Sequence, residues 1–397
     1  MDGGQPLSEV LSHPALAPGG PAPRVAYLAH DLSDQGVVRR VRMLHVAGAE
    51  VRLFGFRRTD QAIGEVDGAP AMDLGRSYDG ALLQRALATG AQALLAAGWG
   101  ADLRGCDVIL ARNLEMLTIA ALARRLHAPR ARLVYECLDV HRLMTSPGPA
   151  GVLLRRLERS LLAQTQALVV SSPAYVRAYF GPWQGLGARF DLPVVTLENR
   201  VFECVAPPAG WAVRPPGPPW RIGWFGILRC RQSFAELASL AAASQGRIEV
   251  VLAGRPSERE FPDFAAQVEA APGMRFIGAY RPEDLARLYG GVHFNWAVDH
   301  FQAGGNSQWL LPNRLYEGGQ SRVVPIALAG GETARWLQRR GLGVVVAQPV
   351  TELRRFFAHL DAPRYQALEQ RCASAPKEWF VATPDTCRDL IHALAAA

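Results

Sequence analysis

Short apolar, β-branched runs alternate along the chain with longer segments whose hydrophobic positions recur every three to four residues. In the first half, Arg24–Ala29, Glu50–Gly55, Asp107–Ala111, Leu133–Cys137, Ala167–Ser171 and Val194–Leu197 read as strands. Between them, Val37–Ala47, Leu82–Ala97, Leu117–Leu126 and Val152–Gln164 have helical spacing. In the last of these, Leu153, Leu154, Leu157, Leu161 and Leu162 form the apolar face and the arginines lie off it. Strand–helix–strand repetition predicts right-handed parallel crossovers and a doubly wound sheet.

Residues 206–220 interrupt the pattern. Six prolines in fifteen positions can sustain neither a helix nor a central strand, so the segment reads as a stiff linker. The alternation then restarts. Strands are expected at Arg221–Phe225, Arg247–Ala253, Met274–Gly278, Val292–Trp296, Val323–Ala327 and Gly343–Val346. Helices are expected at Ser233–Ala243, Glu258–Ala270, Pro282–Tyr289, Arg314–Gln320 and Thr333–Arg340. The expected organisation is a leader over 1–23, an α/β domain over 24–205, the linker, a second α/β domain over 221–375, and a helical segment over 376–397 that crosses back to the first domain. Ligands bind such sheets at the carboxyl ends of the strands, so two facing halves predict an interdomain cleft.

Composition narrows the classes. The 397 residues, 49% hydrophobic and 20% charged, suffice for two cores and fit neither a disordered chain nor a membrane bundle. No window reaches the apolar run of about 18 residues that a bilayer span needs. The first 23 residues lack the basic start and apolar stretch of a signal peptide. Net charge is +7, and Lys377 is the only lysine among 43 basic residues. The excess is spread over both halves without an arginine run or zinc-finger pattern, so nucleic acid is not an expected partner. Cys106, Cys137, Cys204, Cys230, Cys372 and Cys387 are scattered, without metal-ligand spacing, and read as reduced thiols.

Two segments of the second half carry candidate chemistry. In GWFGILRCRQS a strand is expected to end at Gly226, with Arg229 and Arg231 just before a helix N-terminus. Backbone N–H groups, the helix dipole and two cations suit a diphosphate. The segment is no Walker loop, and the first half has no G-x-G-x-x-G. In GGNSQWLLPNRLYEGG, Pro312 and Asn313 mark a helix start with Asn313 as cap. Glu317 then falls early in the helix, where a carboxylate can accept two ribose hydroxyls. Gly318 and Gly319 keep that helix thin where a neighbour approaches. In the first half, Glu136, Asp139 and His141 fall at or just after a strand end, where an acid or base would act. Glu115, and Asp31 and Asp34 in the first loop, are weaker candidates.

The string LPNRLYEGG followed by VVPIA resembles the P-N-K-L-[FY]-E segment of GT-B fold glycosyltransferases, particularly family 4-like enzymes of bacterial surface-polysaccharide assembly. FGILRCRQS resembles their donor-phosphate loop. HDLSDQGVVRRVRMLHVAGAEVRLFGF, ARNLEML, VYECLDVHRL and VVSSPAYVRAYF resemble successive units of their N-terminal domain. The resemblance implies two Rossmann-like domains facing a cleft and transfer of a sugar from a UDP- or GDP-sugar to a saccharide or lipid-linked acceptor. It implies that Glu317 holds the ribose, that Arg229 and Arg231 neutralise the diphosphate, and that Asn313 and Arg314 line the nucleotide pocket. Where many of these enzymes carry the first glutamate of an E-x7-E pair, this chain has Trp309, which leaves the sugar to Asn306, Ser307 or the glycine-rich backbone. Without a D-x-D pair, metal-independent transfer is expected, with no other cofactor. The alternatives are a sugar-nucleotide epimerase or hydrolase of the same fold, or a non-catalytic partner subunit. A cytoplasmic location is expected. Residues 112–159 hold nine arginines against four acids, so the Val152–Gln164 helix, with Arg155, Arg156 and Arg159, is a candidate contact for the inner leaflet.

Overall fold

The computed structural model describes residues 22–77, 98–202 and 215–396. The chain forms two compact units, Met1–Glu198 with Thr383–Ala397, and Asn199–Ala382. In the first unit, strands β1 (Arg24–Ala29), β2 (Glu50–Arg57), β3 (Glu65–Val66), β4 (Ala69–Arg76), β5 (Val108–Arg112), β6 (Arg132–Cys137), β7 (Ala167–Val170) and β8 (Val194–Thr196) form one sheet. Its order is β3-β4-β2-β1-β5-β6-β7-β8, parallel throughout except for the β3–β4 hairpin. Strands β5 and β7 are buried at every position, the continuous apolar run required of a parallel strand covered on both faces. The β3–β4 hairpin was not expected. Its second strand contains Pro70, Asp73 and Gly75, poor strand formers that only a position near the sheet edge tolerates. The expected Leu82–Ala97 helix lies outside the described residues.

Helices α1 (Gln35–Val46), α2 (Asn113–His127) and α3 (Pro149–Leu162) follow β1, β5 and β6. Asp34 caps α1 by accepting from the Gly36 N–H at 2.6 Å. Of the three arginines named as a candidate lipid contact, Arg155 and Arg159 turn to protein groups. Arg155 is buried, donates to the carbonyls of Met144 and Ser146 at 2.8 and 2.7 Å, and lies over the Trp183 ring. Arg159 donates to the carbonyls of Trp183 and Gln184. The exposed residues of this helix include Arg156, Leu157 and Leu153, the last 68% exposed.

The second unit contains β9 (Val201–Phe202), β10 (Trp220–Leu228), β11 (Ile248–Pro256), β12 (Met274–Phe276), β13 (Phe294–Trp296), β14 (Val324–Leu328), β15 (Val344–Val346) and β16 (Val381–Ala382). Six of them form a parallel sheet in the order β12-β11-β10-β13-β14-β15, while β9 and β16 pair separately. The connecting helices used below are α4 (Arg231–Ala242), α5 (Leu285–Gly290), α6 (Asn313–Gln320) and α7 (Glu332–Arg340). Helices α8 (Pro349–Ala358) and α9 (Ala362–Ala373) were not expected. Trp220, Trp224, Trp296 and Trp336 are fully buried in the core of this unit. Both sheets are doubly wound. The direction of progression reverses between β1 and β5 in one and between β10 and β13 in the other, where such sheets bind ligands.

The division falls between Glu198 and Asn199, ahead of the expected boundary at 205, because β9 pairs with β16 in the second unit. Trp220, assigned to the linker by composition, opens β10. The second unit runs on to Ala382, beyond 375. Helix α10 (Pro384–Ala395) belongs to the first unit and packs on α1. Among the described residues, no helix is long and apolar enough to cross a membrane.

The two glycines of α6 have distinct neighbours. A Cβ on Gly318 would stand 2.7 Å from Asn295 Nδ2, and one on Gly319 would overlap the Phe380 ring. Gly319→Ala is therefore expected to destabilise the protein by about 1–3 kcal/mol through overpacking, read as a lower denaturation midpoint. An unchanged midpoint contradicts this packing.

Candidate functional site

The second unit brings three segments to the carboxyl edge of its sheet around the β10/β13 reversal. The first follows β10. This strand does not stop at Gly226 but continues to Leu228, with Gly226 at φ +113° facing Gly254 of β11 at φ +134°. A Cβ on Gly254 would run into the Gly226 carbonyl, and the positive φ of Gly226 disfavours a side chain there although the space is open. Cys230 caps α4, and Arg231 is its first residue. The Arg229 guanidinium lies 4.3 Å from the centroid of the Phe301 ring. Arg231 does not join it. It is 64% exposed and pairs with Glu260 at 3.2 Å.

The second segment follows β13. Asp299 Oδ1 accepts from Ser307 Oγ at 2.6 Å and from the Phe301 N–H at 2.9 Å. Ser307 Oγ in turn accepts from the Gln302 N–H. His300 Nε2 and Glu236 Oε2 of α4 are 3.0 Å apart and nearly enclosed. The loop is thus tied to α4 by one nearly enclosed contact and to Arg229 through the exposed Phe301 ring. Asn306 is buried at the start of a short helix ending at Trp309, whose ring is partly covered.

The third segment is α6. Its N-cap is Pro312, so Asn313 is an exposed first residue and not the expected cap. Arg314 donates to the Val298 carbonyl at 2.8 Å and has its Nη2 3.7 Å from Asp299, which ties α6 to the β13 loop. Fully buried Asn295 of β13 donates to the Arg314 carbonyl at 2.5 Å. Glu317, half-buried, accepts from Tyr289 Oη at 2.9 Å. Burial and the charge of Glu317 push the phenols of Tyr280 and Tyr289 above their ordinary range, so both stay protonated. Gly226, Arg229, Asn306, Ser307, Arg314 and Glu317 thus lie along one edge. Arg231 and Asn313 turn outward. Tyr280, Tyr289, Asp299, His300 and Phe301 were missed by sequence reasoning. Only Asp299 and His300 left a signal, as polar residues directly after the apolar strand.

The first unit treats its candidates differently. Glu136 is fully enclosed and accepts from Arg40 Nε at 2.7 Å, Arg112 Nε at 2.8 Å and Tyr27 Oη at 2.9 Å. A carboxylate so occupied does not exchange protons with a substrate. It ties β1, α1, β5 and β6 together, which corrects its assignment as acid or base. Burial would raise its pKa, but the charges of Arg112 and Arg40 outweigh burial and hold it at about 2. Asp139 is exposed beyond β6. His141, also exposed, accepts from the Leu143 N–H through Nδ1 and caps a single turn. Asp31 is buried against Ser33 and Arg58. His30, at the β1/β5 reversal, was missed. Burial and the nearby Arg112 lower its pKa.

Two doubly wound α/β units, the second with a carboxylate-bearing helix and an arginine loop at its sheet edge, give the chain the GT-B fold. No family model matches the chain. Over 382 residues it is 44% identical to the succinoglycan biosynthesis protein ExoL of Rhizobium meliloti (strain 1021), covering 94% of this chain and 93% of that one. The chain belongs to the ExoL family of exopolysaccharide-biosynthesis proteins. Solved structures share the fold at low identity. Anabaena HepE in complex with UDP and glucose is 14% identical, with a TM-score of 0.64 over 93% of this chain and 98% of that chain. Sucrose-phosphate synthase from Thermosynechococcus elongatus is 14% identical, with a TM-score of 0.63 over 94% of both chains. WaaG, a glycosyltransferase involved in lipopolysaccharide biosynthesis, is 13% identical, with a TM-score of 0.60 over 94% of this chain and 100% of that chain.

Two buried carboxylates of the first unit give opposite pH responses. Glu136, with its pKa held below the ordinary 4.5, contributes stability above about pH 4.5 that is lost as pH falls toward 2. Glu158 of α3 accepts from Tyr135, Tyr179 and Gln184, yet burial without a cation raises its pKa to about 7. Its contribution is complete below about pH 4.5 and is lost as pH rises through 7. Glu136→Ala, which strands two buried guanidinium groups, is expected to cost about 3–5 kcal/mol in denaturant unfolding at pH 7. Glu158→Gln is expected to flatten the fall in stability between pH 4.5 and 7. A pH profile unchanged by that substitution contradicts the assignment.

Proposed function

We propose that this glycosyltransferase takes its sugar from a nucleoside diphosphate donor, UDP-linked in the reading favoured here, and passes it to a saccharide or lipid-linked acceptor without a metal ion. The observation that carries the reading is the shared placement of Arg229 and Glu317 on the edge around the β10/β13 reversal. HepE structures holding UDP and UDP-glucose support the choice of base.

The chemistry follows from the bond that breaks. Cleaving the anomeric carbon–oxygen bond leaves negative charge on the diphosphate and oxocarbenium character on the sugar. Arg229 and the N-terminus of α4 meet the developing charge. Glu317 accepts the ribose hydroxyls, and Arg314 holds α6 against the β13 loop. Asn306 and Ser307 are the assigned sugar-side groups, in place of the carboxylate that Trp309 replaces. In the first unit, Asp139 and His141 at the carboxyl edge of β6 are assigned to the acceptor proton.

Calorimetry with UDP and uridine tests the site. Arg229→Ala is expected to weaken UDP by about tenfold or more and uridine little, whereas Arg231→Ala changes either by less than about threefold. Glu317→Ala is expected to weaken both ligands by about tenfold or more. Equal loss for UDP and uridine in Arg229→Ala contradicts the phosphate assignment. Activity is expected to survive exhaustive chelation, and its loss would contradict metal-independent transfer.

A cytoplasmic, peripheral attachment belongs to the same reading. Leu153 and Leu157 stand exposed on α3 beside Arg156, an apolar pair with a cation. Sedimentation with phosphatidylglycerol vesicles is expected to fall when Leu153→Ser and Leu157→Ser are combined. Equal sedimentation by the variant would remove this contact.

A further inference from the structure

We infer that Tyr289 is the positioning residue of the nucleotide site, directing the Glu317 carboxylate toward the ribose; the inference rests on the ribose role proposed above. Tyr289 is the fully buried penultimate residue of α5. Its ring packs edge-on against Phe225 of β10 at 5.0 Å, within an apolar cluster of Val251, Ala253, Leu288, Val292 and Val323. A phenol so enclosed cannot turn to water, and a hydroxyl buried without an acceptor is costly. Its 2.9 Å bond to Glu317 Oε2 is therefore a fixed strut between the hydrophobic layer under the sheet and a half-buried carboxylate above it.

The direction of the bond matters. Burial and the charge of Glu317 both raise the phenol's pKa, so Tyr289 stays protonated and donates to Glu317 Oε2. A glutamate on a helix has staggered preferences at its first two side-chain torsions, but the third, which sets the plane of the carboxylate, is broad. Pinning one oxygen from below restricts the plane of the group and orients the other. Arg314, one turn earlier on α6, is held by Val298 and Asp299 and fixes the helix but not the glutamate's terminal torsions. Tyr289 acts on the carboxylate itself, through its bond to Oε2.

The test uses the full-length protein and compares UDP with its dideoxyribose analogue, which keeps the base and phosphates and lacks both ribose hydroxyls. Wild type is expected to prefer UDP, and Glu317→Gln to lose most of that preference. Tyr289→Phe keeps the ring packed against Phe225 and deletes only the donor. It is expected to weaken UDP about fivefold to tenfold, leave the analogue unchanged, and raise the donor KM with little change in kcat. Tyr289→Phe added to Glu317→Gln is expected to cost nothing further, as coupled residues require. Equal weakening of UDP and the analogue by Tyr289→Phe would make Tyr289 a packing residue and overturn the inference while leaving the ribose role of Glu317 intact. Retention of the full preference by Glu317→Gln would overturn the ribose role, and the inference with it.

Discussion

Helix α6 can bring Glu317 to the sheet edge only because Gly318 and Gly319 let it settle against Asn295 and Phe380. Asn295 then reaches the Arg314 carbonyl, and Arg314 reaches Asp299 and Val298. Asp299 in turn orders Phe301 and Ser307, and Phe301 carries the Arg229 guanidinium on its face. These contacts form one continuous chain from α6 to the loop after β10. A bulkier helix would lift Arg314 from the β13 loop and leave that loop without its anchor. Several polar groups of the site are bound to one another and to backbone in the absence of ligand, an arrangement that favours electrostatic stabilisation with little reorganisation.

The comparison of Glu317 with Glu136 shows how environment assigns a role to a side chain. Both carboxylates lie near the edge of a parallel sheet. Glu136 is enclosed by two guanidinium groups and a phenol, and its oxygens are spent on joining four elements. Glu317 is half open and is held by a neutral phenol. Removing the first strands buried charge and threatens the fold. Removing the second alters a surface available to ligand. A buried ion pair is weak grounds for net stability, but it holds the first unit to one arrangement of β1, α1, β5 and β6.

Much of this architecture was legible from the chain. Buried parallel strands are short apolar runs, so β1, β5 and β10 stand out in the sequence, and the six-residue run of β1 agrees end for end. The helix carrying Glu317 and the need for its two glycines were also legible. What escaped has physical reasons. Strands β9 and β16 are two residues long and show no period, and they move the division of the chain to Glu198. Edge strand β4 is rich in strand-averse residues. Glu136 reads like a reactive strand-end acid because its partners lie 96 and 24 positions away. Arg229 and Arg231 are two residues apart in one loop, and only the start of α4 turns the second toward Glu260. Tyr289 looks like any apolar-face tyrosine until the sheet brings α5 beside α6.

The central claim is that the carboxyl edge of the second sheet grips a nucleoside diphosphate, with the pentose on Glu317 and the phosphates at Arg229. A crystal structure of the protein soaked with UDP addresses it most directly. The account predicts ribose hydroxyls within hydrogen-bond distance of the Glu317 carboxylate and a phosphate oxygen within reach of the Arg229 guanidinium. UDP bound in an ordered position away from both residues would contradict it.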